Sequence, residues 1–215
     1  MNPFVVKSCT LPAISLGRKA HTLIQFHDEL KTIPDGCFYM HFWGNRLFPR
    51  FVNPDYHNDF AIWAYEKIND QFLAERLCVI DPMDYPDMKS LRNVVIQTIE
   101  QRMNEVGEER SKQIVEPFYF VSSKLIICNT PYKIETADEL AKRVHKLAPS
   151  SIFYHVIDAK MRTPLKMDDF STWLQDYPYR HEQLIKQLCS IDASFLSLTE
   201  IKKELVRICT EFKKE

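Results

Sequence analysis

Two stretches of this sequence carry the same pattern: Asn58-Asp59-Phe60-Ala61-Ile62-Trp63 and Asp168-Asp169-Phe170-Ser171-Thr172-Trp173. A second shared pattern follows each of them, Leu77-Cys78-Val79-Ile80-Asp81 in one case and Leu188-Cys189-Ser190-Ile191-Asp192 in the other. A long pattern that recurs after roughly 110 residues is typical of an internal duplication. The sequence therefore predicts two halves with the same order of elements. Neither half contains a motif that names a reaction.

The segments before these stretches also match between the halves. Residues 4–8 and 118–122 each follow a proline and are aromatic and β-branched, which is typical of strands. A helix is predicted at residues 18–32 in the first half. Its counterpart begins with Thr136-Ala137-Asp138-Glu139, a capping box in which the Thr hydroxyl and the Glu carboxylate satisfy free backbone amides. Two short helices and one long helix are expected to complete each half.

Continuous apolar runs at residues 37–43 and 152–157 predict a second strand in each half, covered on both faces. We therefore expect an α+β fold with an approximate internal two-fold axis and about two strands per half. The predicted parts are an N-terminal half at 1–105, a charged linker at 106–116 and a C-terminal half at 117–215. A two-stranded sheet is marginally stable alone, so the halves are expected to share one small mixed sheet and one core. Two separate domains are the alternative.

The composition is that of a globular protein with a hydrophobic core, with 45% hydrophobic and 27% charged residues among 215. The 28 Lys and Arg residues are balanced by 29 Asp and Glu residues, which argues against nucleic acid as the primary partner. No apolar run approaches the ~20 residues that cross a bilayer, and the start of the chain lacks the features of a signal peptide. We therefore expect a cytoplasmic protein that does not associate with membranes.

No metal site, cofactor or catalytic residue is predicted. The six cysteines form no C-x-x-C pair and have no histidine at zinc-finger spacing, which favours reduced thiols buried as small hydrophobic groups. The chain has no P-loop, no dinucleotide-binding glycine pattern and no H-E-x-x-H motif. His57 beside Asp59 suggests a catalytic dyad, but a helix-capping role explains Asp59, and no nucleophile motif accompanies the pair.

Several motifs resemble those of a prokaryotic family catalogued as a domain of unknown function. They are Gly17-Arg18-Lys19-Ala20, Phe38-Tyr39-Met40-His41 and the N-D-F-x-x-W stretch in the first half, and Asp158-Ala159-Lys160-Met161-Arg162 in the second. The resemblance covers nearly the whole chain. It implies two similar halves and carries no established activity.

Arg18, Lys19 and His41 are the candidate residues for binding an anion. Gly17-Arg18-Lys19 is expected to open a helix, where unpaired amides, a partial positive charge and two cationic side chains would hold a small anion. The alternative is that Gly17 shapes a turn and the two cations are solvated or paired with an acid. His41 and His155 are offset by one position in their predicted strands, so they are expected to face opposite sides, which argues against a symmetric two-histidine site.

The loop at residues 44–57 is rich in aromatic residues and arginines, which are enriched at protein-interface hot spots. We expect a partner-binding surface there, formed by Trp43, Arg46, Phe48, Arg50 and Phe51. The alternative is that these residues belong to a covered core. The leading hypothesis is a non-catalytic binding, regulatory or adaptor protein that acts through a protein partner. The alternative is an enzyme or sensor for a small anionic ligand, such as a sugar phosphate or nucleotide, at the first helix N-terminus. Homo-oligomerisation stays open.

Overall fold

Each sheet combines one strand from each half of the sequence. β1 (Phe4–Thr10) runs antiparallel to β4 (Ile126–Ile134), and β2 (Ile14–Ala20) runs antiparallel to β3 (Phe118–Ser122). The structure is a computed structural model that describes residues 2–48, 56–163, 165–176, 181–194 and 196–212. Over these residues the strands form two separate two-stranded sheets beside a larger number of helices, which confirms the predicted α+β class.

The chain divides into two compact units. The N-terminal unit is Leu11–Lys124, and the C-terminal unit combines Met1–Thr10 with Leu125–Glu215. These bounds differ from the predicted ones, since β1 belongs to the C-terminal unit and β3 to the N-terminal unit. The predicted single shared sheet is replaced by one sheet in each unit.

The helices follow the strands in both units. In the N-terminal unit they are α1 (Leu23–Leu30), α2 (Asp35–Leu47), α3 (Asp59–Glu66), α4 (Gln71–Cys78), a 3₁₀ turn (Pro82–Asp84), α5 (Met88–Val106) and α6 (Glu108–Ser111). In the C-terminal unit they are α7 (Ala137–Arg143), a 3₁₀ turn (Val144–Lys146), α8 (Pro149–Ile152), a π-helical turn (Phe153–Asp158), α9 (Ala159–Arg162), α10 (Asp169–Gln175), α11 (Glu182–Cys189) and α12 (Leu198–Phe212). The predicted linker at 106–116 therefore contains α6.

The predicted second strands are wrong. Residues 37–43 lie in α2, and residues 152–157 lie in α8 and the π-helical turn. A short apolar run does not by itself distinguish a buried strand from a buried helix. In α2 the buried residues include Cys37, Phe38 and Met40 as well as His41 through Gly44, so the helix is covered on most of its faces. A helix in that position is apolar nearly all round and loses the periodic pattern that would identify it.

The strands that sequence reasoning missed, β2 and β4, are mostly exposed and lack a clear apolar alternation. Gly17, which was predicted to open a helix with Arg18 and Lys19, instead lies in β2 with φ of 66°. It occupies the irregular part of the ladder between Ser15 and Lys19. That left-handed conformation suits glycine.

The two sheets have the same strand register. Phe4 pairs with Ile134, and Ala20 pairs with Phe118, so each partner in one sheet is 114 positions from its counterpart in the other (118 − 4 and 134 − 20). The same shift relates the pairs Lys7–Asn129 and Ser15–Val121. Positions 114 residues apart are therefore equivalent in the two units up to His41 and His155, which contact Val121 and Lys7. The gene duplication itself stays a prediction.

Side-chain caps fix the helix starts in equivalent places. Thr22 accepts a hydrogen bond from the backbone N–H of Gln25 at the start of α1, and Thr136 accepts one from Glu139 at the start of α7, each at 3.1 Å. A cap of this kind satisfies an amide that the helix leaves unpaired. The predicted cap at Thr136 is therefore confirmed, and α1 begins at Leu23 rather than at residue 18.

The N-caps of α3 and α10 are Asn58 and Asp168. Asn58 lies one residue before Asp59, which was predicted to cap its helix. Asn58 accepts from Ala61 N–H at 2.9 Å and donates to the Leu77 carbonyl at 3.0 Å. Asp168 accepts from Ser171 N–H at 2.8 Å and from its hydroxyl at 2.6 Å. Burial raises the pKa of Asp168 above its usual value, although these hydrogen bonds oppose the rise.

Replacing Asp168 with asparagine, the residue at the equivalent cap in the N-terminal unit, is expected to raise the free energy of unfolding at pH 7. A carboxyl group with a raised folded pKa binds its proton more readily in the folded state. The wild-type protein therefore loses stability as the pH rises above the unfolded pKa of about 3.9 towards the higher folded value. Asparagine does not titrate, so the advantage of Asp168→Asn should be larger at pH 7 than at pH 4 in urea titrations. An advantage that is absent or smaller at pH 7 contradicts this account.

Each unit has its own aromatic core. In the N-terminal unit the Phe26 ring lies 4.7 Å from Trp63, 5.1 Å from Phe118 and 5.7 Å from Phe120, measured between centroids. In the C-terminal unit Phe4 is the equivalent of Phe118, and its ring contacts aromatic side chains of the helices that follow. All six cysteines are free thiols, and Cys9, Cys37 and Cys209 are buried. Among the described residues, no helix has the length and apolar character that crossing a membrane requires.

Candidate functional site

A buried histidine lies at the centre of the C-terminal unit. His155 Nδ1 is 2.7 Å from Asp169 Oδ2, and the backbone N–H of Lys7 in β1 donates to His155 Nε2 at 2.8 Å. Because Nε2 accepts this hydrogen bond, the ring proton must lie on Nδ1, which donates to Asp169. The lone pair that a general base would use is therefore already engaged by the strand.

The N-terminal unit repeats this arrangement with His41. Its Nδ1 is 2.8 Å from Asp59 Oδ2, and the N–H of Val121 in β3 donates to its Nε2 at 3.1 Å. The prediction that His41 and His155 face opposite sides is wrong, because both residues lie on helices and make the same contacts. Each histidine fastens a strand from one half of the sequence to helices of the other half.

A tryptophan makes the third equivalent contact. Trp173 Nε1 donates to the Asn2 carbonyl at 3.3 Å, and Trp63 Nε1 donates to the Glu116 carbonyl at 2.9 Å. Each carbonyl precedes a Pro-Phe pair at the start of a strand. We call the histidine, aspartate and tryptophan of each unit its His–Asp frame. The frame fixes where β1 or β3 enters its unit.

A cavity of about 550 Å³ opens beside the His–Asp frame of the C-terminal unit, and we call it the polar pocket. Its volume is in the range typical of small-ligand sites. The start of β1, the π-helical turn, α9 and α10 form its walls. The lining residues are Asn2, Pro3, Phe4, Val5, Lys7, Tyr154, His155, Arg162, Asp169, Trp173 and Asp176.

Arg162 is held in place from three sides. Its Nε donates to Asp158 Oδ2 at 2.9 Å, and its Nη2 donates to Asp169 Oδ2. The guanidinium carbon lies 4.4 Å from the centroid of the Tyr154 ring, within range of a cation–π interaction. Burial would lower the pKa of Arg162, but the contacts with Asp169, Tyr154 and Asp158 outweigh it and raise that pKa. Arg162 is therefore a fixed cation with one face of its guanidinium committed.

Several polar atoms of the polar pocket remain available for a ligand. Within the described ranges, the Lys7 ammonium, Arg162 Nη1, the Tyr154 hydroxyl and Asp169 Oδ1 have no hydrogen-bond partner. Burial is the main cause that raises the pKa of Tyr154, so its phenol stays protonated and can donate at neutral pH. The pocket thus offers cationic donors, a neutral donor and a carboxylate acceptor within one cavity.

The charges in and around the polar pocket are nearly balanced. Among the residues that the structure describes, Lys7 and Arg162 supply two positive charges, and the carboxylates of Asp158, Asp169 and Asp176 supply three negative charges. A polyanion would lie close to the Asp158 and Asp169 carboxylates, which already pair with Arg162. The balance favours a neutral or zwitterionic ligand.

The equivalent positions of the N-terminal unit are less polar. Met40 stands 114 positions before Tyr154, and Val121 stands 114 positions after Lys7 (154 − 40 and 121 − 7). Asp59 also differs from Asp169, because Asn45 Nδ2 donates to Asp59 Oδ1 at 2.5 Å. The two units share the His–Asp frame, and the free donors and acceptors around it are a feature of the C-terminal unit.

The predicted anion site is not assembled at the first helix. Arg18 Nε pairs with the Glu29 carboxylate, and its Nη2 donates to Thr32 Oγ1 at 2.5 Å. Arg18 is therefore paired with an acid, as the alternative interpretation expected. Lys19 is exposed on β2, and His41 is buried in α2. In the described part of the chain no contact joins these predicted anion ligands to one another.

The predicted partner-binding residues fall in different environments. Trp43 is only 2% exposed, and its ring lies 4.8 Å from Tyr39 between centroids, so its side chain belongs to the interior. Arg46 is partly exposed near the end of α2, and Phe48 is 48% exposed. Arg50 and Phe51 lie outside the described residues.

The Asp59 carboxylate does not form the suggested dyad with His57. Both oxygens of Asp59 are engaged, one by His41 and the other by Asn45. Burial and the nearby charge of Arg46 lower the pKa of His57, whereas an acidic partner would raise it. Asp59 is therefore a structural member of the His–Asp frame.

Sequence reasoning missed Tyr154, Arg162 and Lys7. A local signal existed for Arg162, since Asp158 precedes it by four residues, the spacing at which helical side chains meet. That signal was lost because the preceding residues were predicted to form a strand. Lys7 lies near the other end of the chain, and its position in the pocket depends on the pairing of β1 with β4.

Comparison with known proteins gives one strong structural likeness. A solved structure described as the structure of OrfY from Thermoproteus tenax matches with a TM-score of 0.80 and 26% sequence identity, over 100% of this chain and 97% of that one. None of the curated proteins matches. Residues 1–210 match a protein family described as a family of unknown function, DUF5752. This chain therefore belongs to the DUF5752 family, as the motif resemblance predicted.

Proposed function

We propose that this chain is a non-catalytic binding protein that holds a small polar ligand in the polar pocket. The observation that carries the proposal is the set of unpaired groups that line one cavity: Lys7, Arg162, Tyr154 and Asp169. These groups are open to solvent, so a ligand that hydrogen-bonds to them would replace water rather than break contacts within the protein. A ligand that supplies both donors and acceptors would satisfy all four.

The pocket favours binding over catalysis. The Nε2 lone pair of His155 accepts a hydrogen bond from the Lys7 amide, so abstraction of a ligand proton there would require β1 to move. Tyr154 is held protonated by its raised pKa and acts as a donor. Arg162 and Asp169 are committed to each other through one carboxylate oxygen. They position a ligand rather than transfer a proton to it.

The charge balance of the polar pocket narrows the ligand class. A small neutral molecule with several hydroxyl groups, or a zwitterion, matches two cations facing three carboxylates better than a phosphorylated molecule does. The indole of Trp173 adds an apolar surface to the same wall. A protein partner remains part of the proposal, with Arg46 and Phe48 as the described surface positions of the predicted partner-binding set.

A thermal-shift panel of amino acids, neutral sugars, polyols and phosphorylated metabolites tests the proposal. At least one neutral or zwitterionic compound is expected to raise the melting temperature of the wild-type protein by several degrees, since a ligand that binds only the folded state stabilises it. The response should be lost in Tyr154→Met and Lys7→Val. These changes introduce the side chains that the N-terminal unit has at the equivalent positions, so both variants should fold.

Lys133→Val is the matched control for Lys7→Val. Lys133 is an exposed lysine on the neighbouring strand that does not line the pocket, so its loss should leave the response intact. A panel in which only phosphorylated compounds stabilise the protein would contradict the proposed ligand class. A response that survives in both pocket variants would contradict the proposed site.

A further inference from the structure

A second cavity, of about 360 Å³, lies in the C-terminal unit between the β1–β4 sheet and the segment that follows α7. We call it the apolar cleft. Val6, Ile134 and Leu147 are buried residues of its wall, and none of them lines the polar pocket. Arg143 and Lys146 also line the cleft, and both are exposed. The cleft therefore combines an apolar interior with a cationic edge.

The two cations at this edge are only partly neutralised. Arg143 Nη2 lies 2.7 Å from Glu139 Oε1, one turn earlier on α7. Lys146 has no hydrogen-bond or ion-pair partner among the residues that the structure describes. One ammonium and part of one guanidinium are thus available to an anionic group at the mouth of the cleft.

At the equivalent positions of the N-terminal unit, side chains bind one another. Arg18 occupies the position equivalent to Tyr132, and it binds Glu29 and Thr32, which stand 114 positions before Arg143 and Lys146 (143 − 29 and 146 − 32). Arg18 therefore bridges the two positions that Arg143 and Lys146 hold in the C-terminal unit.

The N-terminal unit also has larger side chains at the equivalent interior positions. Phe120 stands at the position equivalent to Val6, and its ring stacks 5.7 Å from Phe26, which is equivalent to Leu140. Two aromatic rings in the N-terminal unit thus correspond to a valine and a leucine in the C-terminal unit. Replacing large core side chains with small ones leaves a cavity unless the surroundings collapse. Val6 lines the apolar cleft, so its small side chain contributes to this opening, and Arg143 and Lys146 lie at its edge.

We infer that the apolar cleft is a second ligand site, specific for a small molecule with an apolar body and a single anionic group, such as a medium-chain carboxylate. The apolar body would lie against Val6, Ile134 and Leu147, and the anionic group would meet Lys146 and Arg143. The cleft supplies little polar surface in its interior that could satisfy a hydrophilic ligand, which distinguishes it from the polar pocket. The inference is independent of the function proposed for that pocket.

Octanoate is the probe, and octan-1-ol and octylamine are the comparisons of equal chain length. In titrations of the 215-residue chain followed by NMR, octanoate is expected to bind more tightly than octan-1-ol, and octylamine more weakly than either. Lys146→Thr, which introduces the residue of the N-terminal unit, should weaken octanoate about fivefold and leave octan-1-ol unchanged. Lys142→Thr is the matched control, since Lys142 is an exposed lysine on α7 that does not line the cleft.

Val6→Phe tests the apolar part of the site, because it introduces the larger side chain that the N-terminal unit has at this position. It is expected to weaken octanoate and octan-1-ol alike, by at least about tenfold, through loss of volume. If Val6→Phe fails to fold, Lys146→Thr still decides the question. Equal binding of octanoate and octan-1-ol, or equal effects of Lys146→Thr and Lys142→Thr, would overturn the inference.

Discussion

A chain that lacks residues 1–10 is expected to lose the folded C-terminal unit while the N-terminal unit stays folded. β1 is the only strand that pairs with β4 among the described residues, and it contributes the buried side chains of Phe4, Val6 and Cys9. It also supplies the amide that His155 accepts. Removing β1 leaves β4 unpaired and exposes the apolar face of the unit to water. A two-stranded sheet cannot persist without one of its strands, and the exposed apolar surface destabilises the unit. The strand that loses its partner, β4, lies more than a hundred residues from the deleted segment in the sequence.

The three tryptophans report on the two units separately, because only Trp173 belongs to the C-terminal unit. In the truncated chain the indole signal of Trp173 should take the position of an unfolded chain, whereas those of Trp43 and Trp63 stay native. The reverse experiment compares fragments 11–124 and 11–116. The first keeps β3 and should fold, and the second lacks it and should not. A native Trp173 signal in the truncated chain would contradict the role of β1 in the C-terminal unit. Equal stability of the two fragments would contradict the role of β3 in the N-terminal unit.

Replacing His155 with alanine is expected to lower the free energy of unfolding of the C-terminal unit by about 3 kcal/mol. The side chain is 2% exposed, so its loss creates a cavity. It also leaves the Lys7 amide without an acceptor and Asp169 without its imidazole donor. An unpaired buried group loses its full hydration energy, which makes the cost larger than that of one hydrogen bond.

His145→Ala is the matched control, because His145 is exposed in the same unit. Its effect in urea titrations followed by the indole N–H signal of Trp173 should be within about 0.5 kcal/mol of the wild type. His41→Ala should destabilise the N-terminal unit by an amount similar to His155→Ala, since the contacts of the two histidines are equivalent. A loss below about 1 kcal/mol for His155→Ala would show that the His–Asp frame does not hold the strand.

The parts of the fold that depend on local chemistry were predictable from the sequence. The Pro-Phe starts of β1 and β3 and the cap at Thr136 use signals that lie within a few residues of the element they define. The α+β class follows from those elements. The apolar runs of α2 and the π-helical turn were misassigned because burial on all sides removes the periodicity that separates helix from strand.

Strand pairing and the polar pocket depend on contacts between distant parts of the chain. Nothing local to residues 4–10 shows that β1 pairs with β4 rather than with β2. Since Lys7 enters the polar pocket through that pairing, the pocket could not be assembled from sequence alone. Tyr154 carries no distinguishing local pattern, and its role follows from the position of Arg162 over its ring. The two units share the His–Asp frame, and the positions at which they differ around that frame identify the residues of the polar pocket.

The most direct test of the account is a two-dimensional NMR titration of the three tryptophan indole N–H groups with a compound that stabilises the protein. Trp173 lines the polar pocket, whereas Trp63 holds the equivalent place in the His–Asp frame of the other unit and Trp43 is buried in α2. Binding in the polar pocket predicts that the Trp173 signal moves and that both others stay in place, with no movement in Tyr154→Met. A shift of Trp63 instead, or a Trp173 shift that persists in Tyr154→Met, would contradict it.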